Sequence, residues 1–121
     1  ALPICFAPLE ALRVKALLGL PEACGLEGLE AALRERFNSR INEVEIVREG
    51  GSLTLRLLDC RVQSARRRKG LADYPCKSAG VTEYEAFARF VDPRIETRCL
   101  ACPPDPLGEG EFCSWRFTLK S

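Results

Sequence analysis

The chain contains no histidine and no methionine, and it has a single tryptophan among 121 residues. Histidine is the usual general base of nucleophilic catalysis, so its absence excludes a Ser-His or Cys-His catalytic pair. An enzyme built on this chain would have to recruit Glu, Asp, Lys or a metal-bound water as its base. Because there is no start methionine, we expect a processed chain or a fragment that lacks part of an upstream helical region.

The sequence also lacks an excess of either charge and any long apolar run. Its 18 basic and 17 acidic residues nearly cancel, so no overall field draws the protein to nucleic acid or to a membrane surface. No apolar run approaches the roughly 20 residues of a membrane span, and the opening Ala1–Phe6 is too short and uncharged for a signal peptide. We therefore expect one cytoplasmic domain over residues 1–121, with no nucleic-acid partner and no membrane partner.

Cysteine, by contrast, is abundant, with seven residues in the chain. An odd number argues against a fully paired disulfide framework and favours thiols that are reduced or bound to a metal. We interpret Cys5 and Cys24 as incidental thiols or small apolar core residues. The cysteines that remain as functional candidates are Cys60, Cys76, Cys99, Cys102 and Cys113.

The spacing of apolar residues predicts two helices and then a β-hairpin in the first half of the chain. A short helix is predicted over Pro8–Leu18 and an amphipathic helix from Leu26 to Phe37. The residues on both sides of Gly50 and Gly51 then alternate between apolar and polar. This alternation, with a glycine pair that can take positive φ values, predicts the hairpin.

Two more helices are predicted in the middle of the chain. Asp59 is expected to cap the first at its N-terminus, and Gly70 to end it. A loop is expected over Leu71–Gly80. The second helix is then expected to begin at the capping box Thr82-Glu-Tyr-Glu85 and to end at Asp92.

The last third of the sequence predicts two further strands joined by a proline-rich loop over Pro103–Gly110. Side chains alternate along a strand, so Cys99 and Cys113 are expected to face one layer together with Trp115. If the strands pair antiparallel, Cys99, Cys102 and Cys113 converge at one end of the sheet. The predicted fold is α+β, a four-stranded antiparallel sheet of two hairpins with helices packed on one face.

The converging cysteines indicate a possible metal centre. A Cys-x-x-Cys pair lets two thiolates reach one metal from a tight turn, and two further cysteines complete a tetrahedral site. The expected ligands are Cys76, Cys99, Cys102 and Cys113, with zinc as the metal and an iron–sulfur cluster as the alternative. Ordinary core thiols, or a redox pair formed by the Cys-x-x-Cys, are the competing interpretations.

Four consecutive cations, Arg66–Lys69, offer either partners for an anionic small molecule or a solvated helix end. Cys60 lies beside them at a predicted helix N-terminus, so we expect its thiol to be the most acidic and reactive if no metal is bound. The candidate ligand-binding residues are Cys60, Arg66, Lys69, Lys77, Tyr84 and Trp115.

Several short segments together carry a resemblance to known proteins. They are Cys60–Leu71, Tyr74–Lys77, Glu83–Ala88, Asp92–Ile95, Cys99–Asp105 and Cys113–Phe117. This set resembles a family of uncharacterised prokaryotic cytosolic proteins. The cysteine-rich ending is also, more distantly, similar to the 4-vinyl reductase-type small-molecule-binding domain, an α+β module.

The second resemblance implies a ligand-binding or sensory module with a pocket between helices and sheet. Such proteins have more helix upstream than this chain, so we expect a homodimer formed through the N-terminal helices to complete the pocket. A weaker resemblance in layout, to amidohydrolase-like proteins acting on cyclic thiazoline carboxylates, implies an enzyme. Three hypotheses follow. The leading one is a small-molecule-binding or sensory domain. The others are a hydrolase with Cys60 or Cys76 as nucleophile, and a structural protein-interaction domain.

Overall fold

A computed structural model of the chain describes residues 2–21, 24–36, 39, 42–103, 105, 107 and 111–119, with side chains from residue 9 onward. Helices α1 and α2 are followed by strands β1 and β2, helices α3 and α4, and strands β3 and β4. Their bounds are α1 Leu2–Leu18, α2 Gly25–Glu35, β1 Glu43–Glu49, β2 Ser52–Asp59, α3 Arg61–Arg68, α4 Lys77–Val91, β3 Ile95–Ala101 and β4 Ser114–Leu119.

The four strands form one antiparallel sheet in the order β1-β2-β4-β3. Each hairpin pairs internally, and the two hairpins join along β2 and β4, where Leu55 lies opposite Trp115. Cys99 of β3 lies on the other side of Trp115. The predicted α+β fold, with its four-stranded antiparallel sheet of two hairpins, is therefore confirmed.

One face of the sheet and one stripe of α4 form the core. Leu53 and Leu55 of β2 are fully buried together with Trp115 and Phe117 of β4, because alternate strand residues point to the same face. Helix α4 contributes Tyr84, whose ring centroid lies 4.9 Å from that of Trp115. The remaining buried residues of α4 are Phe87, Ala88 and Val91.

The first hairpin turns at Gly50 and Gly51, as the sequence predicts. Gly50 has φ +54°, a conformation that glycine adopts without steric cost. Helix α1, however, begins at Leu2 and not at Pro8. Proline inside a helix removes one backbone hydrogen bond, so it disfavours that position without forbidding it. Phe37, the predicted end of the second helix, lies outside the described residues.

The two middle helices have different starts from those predicted. Cys60, not Asp59, occupies the N-cap position of α3. Asp59 ends β2, and the side-chain oxygen of Asn42 accepts a hydrogen bond of 2.9 Å from the amide of Arg61. The predicted end is confirmed, because Gly70 has φ +72° and the following amide, of Leu71, donates to the carbonyl of Arg66.

Helix α4 begins at Lys77, five residues before the predicted capping box. The Thr82 hydroxyl donates to the carbonyl of Ser78 at 3.1 Å, so it bonds inside the helix and caps nothing. Cys76 is the N-cap residue of α4. The predicted loop over Leu71–Gly80 therefore ends at Cys76, and this shift places a thiol at the start of a 15-residue helix.

The N-terminal helix packs mainly on α4 and leaves several leucines in solvent. Leu9, Leu12 and Leu17 of α1 are each more than half exposed. The homodimer predicted through the N-terminal helices concerns this surface and stays a prediction. None of the described helices has the length and apolar character that crossing a membrane requires.

Candidate functional site

A cavity of about 290 Å³ lies between α3, the first half of α4 and the start of β4. Its lining is mostly apolar, with Leu57, Tyr84 and Trp115 among the larger side chains. The polar lining includes Gln63 and Glu83. Four of the seven cysteines reach this one cavity, namely Cys60, Cys76, Cys102 and Cys113.

Helix α4 supplies a wall of the cavity through residues at helical spacing. Cys76, Gly80 and Glu83 line it, and residues three, four and seven positions apart lie on one face of an α-helix. With a rise of 1.5 Å per residue, Glu83 is about 10 Å further along the helix axis than Cys76. The Cys76 thiol and the Glu83 carboxylate therefore line the same wall at positions about two helical turns apart.

Gly80 lets this wall lie against the sheet. A Cβ atom at position 80 would lie 2.8 Å from Cζ2 and 3.0 Å from Cη2 of Trp115. Real Cβ contacts are longer than this, so only glycine allows the present distance between α4 and the indole ring. The separation of helix and sheet at the cavity therefore depends on a residue without a side chain.

Three thiols meet at one end of the cavity and form what we call the thiol triad: Cys76, Cys102 and Cys113. The Sγ atoms of Cys76 and Cys102 are 3.7 Å apart. Ala101 pairs with Ser114 at the end of the sheet, so Cys102 and Cys113 follow as the next neighbours across the hairpin. Cys102 is the central member, since its thiol interacts with both of the others.

Asp105 holds the segments that carry Cys76 and Cys102 side by side. Its carboxylate accepts a hydrogen bond of 3.1 Å from the amide of Cys102 and pairs with Lys77 Nζ at 3.0 Å. The amide of Lys77 in turn donates to the carbonyl of Pro103 at 2.8 Å. An exposed ion pair of this kind contributes little to stability, but together these bonds fix the relative position of the two thiols.

Hydrogen bonding inside the triad lowers the pKa of two of the thiols and raises that of the third. The Cys102 thiol, acting as donor to its neighbours, lowers the pKa of Cys76 to about 6 and also lowers the pKa of Cys113. Gln63 Nε2, 3.6 Å from Cys76 Sγ, acts in the same direction. The pKa of Cys102 itself is raised by its contacts with Cys113 and Cys76 and by burial. At neutral pH Cys76 therefore has thiolate character.

The other two candidate thiols have the opposite character. Burial raises the pKa of Cys60 and of Cys99. The prediction that Cys60 is the most acidic thiol is therefore wrong, because removal from water outweighs the backbone hydrogen bonds at the start of α3. Cys60 nevertheless lines the cavity, while Cys99 lies on β3 and interacts with the Cys102 thiol.

The predicted metal ligands are close in space without forming a recognisable metal centre. In the part of the chain that the structure describes, no group of three or more His, Cys, Asp or Glu side chains is arranged to hold a metal ion. The Cys76–Cys102 separation of 3.7 Å is nevertheless similar to the edge of a tetrahedral zinc–thiolate site, about 3.8 Å for 2.3 Å bonds. Zinc or an iron–sulfur cluster on Cys76, Cys99, Cys102 and Cys113 stays a prediction.

The predicted anion-binding cations do not meet at the cavity, since Arg66, Lys69 and Lys77 are all absent from its described lining. Arg66 Nε donates to the carbonyl of Ala72 at 2.8 Å. Lys69 is exposed at the C-terminal end of α3. Lys77 is paired with Asp105. Tyr84 and Trp115, the aromatic members of the predicted ligand set, do line the cavity.

Glu83 is a charged residue in the cavity wall that the sequence did not predict as part of the site. Glu83 accepts a hydrogen bond from Arg36 NH2, and Arg36 also pairs with Glu10 at 2.9 Å. The Arg36 guanidinium is buried and stacks 4.8 Å from the Tyr84 ring centroid. Glu83 follows Cys76 by two helical turns, and this spacing is the signal that could have assigned it to the cavity once the true start of α4 was known.

A family profile described as "Family of unknown function (DUF6125)" matches residues 4–119, which is nearly the whole chain. No curated protein and no solved structure matches this chain. The chain belongs to this family of unknown function.

Proposed function

We propose that this member of a family of unknown function is a small-molecule-binding domain, with its ligand in the cavity beside the thiol triad. The observation that carries the proposal is the cavity itself, which is walled by aromatic and apolar side chains and has a few polar groups at its ends. Ligand sites in proteins are typically concave and mostly apolar, with a small number of placed polar groups. This agreement between the cavity and typical ligand sites supports a binding role more directly than a purely structural one.

The cavity favours a compact and largely apolar ligand. Its volume of about 290 Å³ lies at the lower limit of known ligand pockets, roughly 300–1,000 Å³. Trp115 is 1% exposed, and its indole Nε1 has no hydrogen-bond partner among the residues that the structure describes. A ligand with a hydrogen-bond acceptor would satisfy this donor, whose unpaired burial costs about 1–3 kcal/mol.

The charges of the site favour a neutral or weakly basic ligand over an anion. Glu83 and the thiolate character of Cys76 both place negative charge in the lining. An anionic ligand would have to overcome this charge with Arg36 already paired to two carboxylates. The described cysteines are all free thiols, which suits a reducing compartment such as the cytoplasm.

Trp115 provides the experiment, because it is the only tryptophan and it lines the cavity. The reduced protein would be titrated with small neutral ring compounds, benzothiazole and p-cresol, while the tryptophan fluorescence is followed. We expect a saturable change in intensity. Substituting Ala79→Leu places a larger side chain in the exposed part of the lining and should abolish the change.

Ser78→Leu is the matched control, since Ser78 is exposed on the same helix and does not line the cavity. It should bind like the unchanged protein. Equal loss of binding in the two variants, or a non-saturable signal in the unchanged protein, would contradict the proposal. Far-UV circular dichroism of both variants checks that α4 remains folded.

A second candidate function is an enzyme with Cys76 as nucleophile, and the lowered pKa of this half-buried thiol favours it. The thiolate is the nucleophilic form of cysteine, and Cys76 lines the cavity together with Glu83, a group that could transfer protons. The test incubates the protein with 2-thiazoline-4-carboxylate and follows ring opening. Cys76→Ser should abolish turnover, while Cys24→Ser should not. No turnover by the unchanged protein would count against this substrate class.

A further inference from the structure

We propose that Cys76 and Cys102 form a reversible dithiol oxidation site, in which a hydroperoxide oxidises Cys76 and Cys102 then closes a disulfide. The sequence pairs Cys102 with Cys99 in a Cys-x-x-Cys motif, but the structure places its thiol 3.7 Å from that of Cys76, 26 residues away. This inference does not rest on the cavity having a natural ligand.

The backbone around the two cysteines favours a disulfide without rearrangement of the fold. The residues that follow them are joined directly, since the Lys77 amide donates to the Pro103 carbonyl at 2.8 Å. Asp105 adds a hydrogen bond from the Cys102 amide and an ion pair with Lys77. A disulfide requires neighbouring Cα atoms and an S–S bond of about 2.05 Å. Rotation of the two side chains supplies the remaining approach of the sulfurs.

The two thiols differ in access, and this difference assigns their roles. Cys76 is half-buried in the cavity lining, at the start of α4. Cys102 is 1% exposed, so an oxidant in solution reaches Cys76 first. Cys102 is then the resolving thiol, the one that attacks the oxidised sulfur.

The third member of the triad is less suited to react first. Cys113 is half-buried like Cys76, but its carbonyl accepts a hydrogen bond from the Leu57 amide of the sheet. The bonds of Lys77 and Asp105 instead hold Cys76 against Cys102. Cys113 therefore remains a neighbour that polarises Cys102, and the disulfide forms on the other side.

The chemistry balances with a hydroperoxide as the oxidant. The Cys76 thiolate attacks the terminal peroxide oxygen and the O–O bond breaks, which leaves a sulfenic acid and an alkoxide, or hydroxide when the oxidant is hydrogen peroxide. The leaving alkoxide or hydroxide takes a proton from solvent and departs as an alcohol or as water. The Cys102 sulfur then attacks the sulfenic sulfur, the S–O bond breaks, and the thiol proton leaves with the hydroxyl as water. The two sulfurs together lose two electrons, and a dithiol reductant returns them.

The experiment treats the full, reduced chain with hydrogen peroxide, blocks the remaining thiols and maps disulfides by peptide mass spectrometry. We expect one disulfide, between Cys76 and Cys102, which dithiothreitol reverses. In Cys102→Ser the reaction should stop at a sulfenic acid on Cys76 that dimedone traps. In Cys76→Ser the disulfide and the dimedone adduct should both be lost.

Cys24→Ser is the matched control, because Cys24 lies away from the cavity lining and its thiol donates to the Val91 carbonyl, a bond that a hydroxyl can keep. It should oxidise like the unchanged protein. A disulfide between Cys102 and Cys113 or between Cys99 and Cys102, or an unmodified Cys76 at full oxidant exposure, would overturn the proposal. So would stoichiometric zinc that blocks oxidation in the purified protein, measured by elemental analysis beforehand.

Discussion

The substitution Gly80→Ala tests whether the contact between α4 and Trp115 sets the shape of the site. The added Cβ would lie 2.8 Å from Trp115 Cζ2 and 3.0 Å from Cη2. The indole is 1% exposed and packs on the Tyr84 ring, with the centroids 4.9 Å apart. Either the helix or the ring must therefore shift by several tenths of an ångström.

Two opposing effects determine the size of the change. Replacing a helical glycine by alanine stabilises a helix by up to about 1 kcal/mol. Forcing an additional methyl group into a packed core costs about 1–3 kcal/mol. We expect the steric cost to prevail and the free energy of unfolding to fall by about 1 kcal/mol, which is roughly 4 °C in Tm for a domain of this size.

Thermal and urea unfolding followed by circular dichroism would measure this effect in a double-mutant cycle with Trp115→Phe. Phenylalanine lacks the benzo ring atoms Cζ2 and Cη2, so Gly80→Ala should be neutral or stabilising in that background. Gly51→Ala is the control, since a Cβ there meets no atom within 4 Å. Equal destabilisation by Gly80→Ala in both backgrounds would refute the steric argument.

Three other predictions follow from the charged and reactive groups. Alkylation of Cys76 by iodoacetamide should rise with pH and reach half its maximal rate near pH 6, the pKa given by its contact with Cys102; a midpoint above pH 8 would contradict that contact. Asp92→Ala should destabilise by about 2–3 kcal/mol, because a buried carboxylate that accepts bonds from the Gly25 and Arg94 amides is lost. Hydrogen bonds from the Arg94 side chain, and then from the two amides, lower the pKa of Asp92. Its contribution is therefore present above the unfolded pKa near 4 and should be lost as the pH falls below it, which acid unfolding of both proteins would show. Arg36→Met should cost about 3–5 kcal/mol in urea unfolding, because Glu10 and Glu83 lose their buried partner; a neutral effect would mean that the network contributes nothing.

The sheet could be predicted from the sequence because strand alternation is a local signal. Leu53, Leu55 and Trp115 all lie on the expected face, and the turn at Gly50 follows from the rarity of residues that accept positive φ. The convergence of Cys102 and Cys113 follows from the antiparallel pairing of the last two strands.

The contact between Cys76 and Cys102 and the position of Glu83 in the cavity wall could not be predicted from local patterns. Thr82-Glu-Tyr-Glu85 has the pattern of a capping box and therefore predicts that α4 begins at Thr82. The helix in fact begins five residues earlier, at Lys77. With Cys76 assigned to a loop, the sequence pairs it with Cys102 only through the predicted metal site, and it does not place Glu83 in the same wall. Both contacts depend on how α4 docks on the sheet, a long-range property that local patterns do not specify.

A crystal structure of the reduced protein soaked with benzothiazole would show whether the cavity binds a small molecule. We expect density for the ring compound in the cavity, in contact with Trp115 and beside the Cys76 thiol. Density for a metal ion on the cysteines with no ring compound bound, or a cavity closed by its own side chains, would contradict the assignment of this chain as a small-molecule-binding domain.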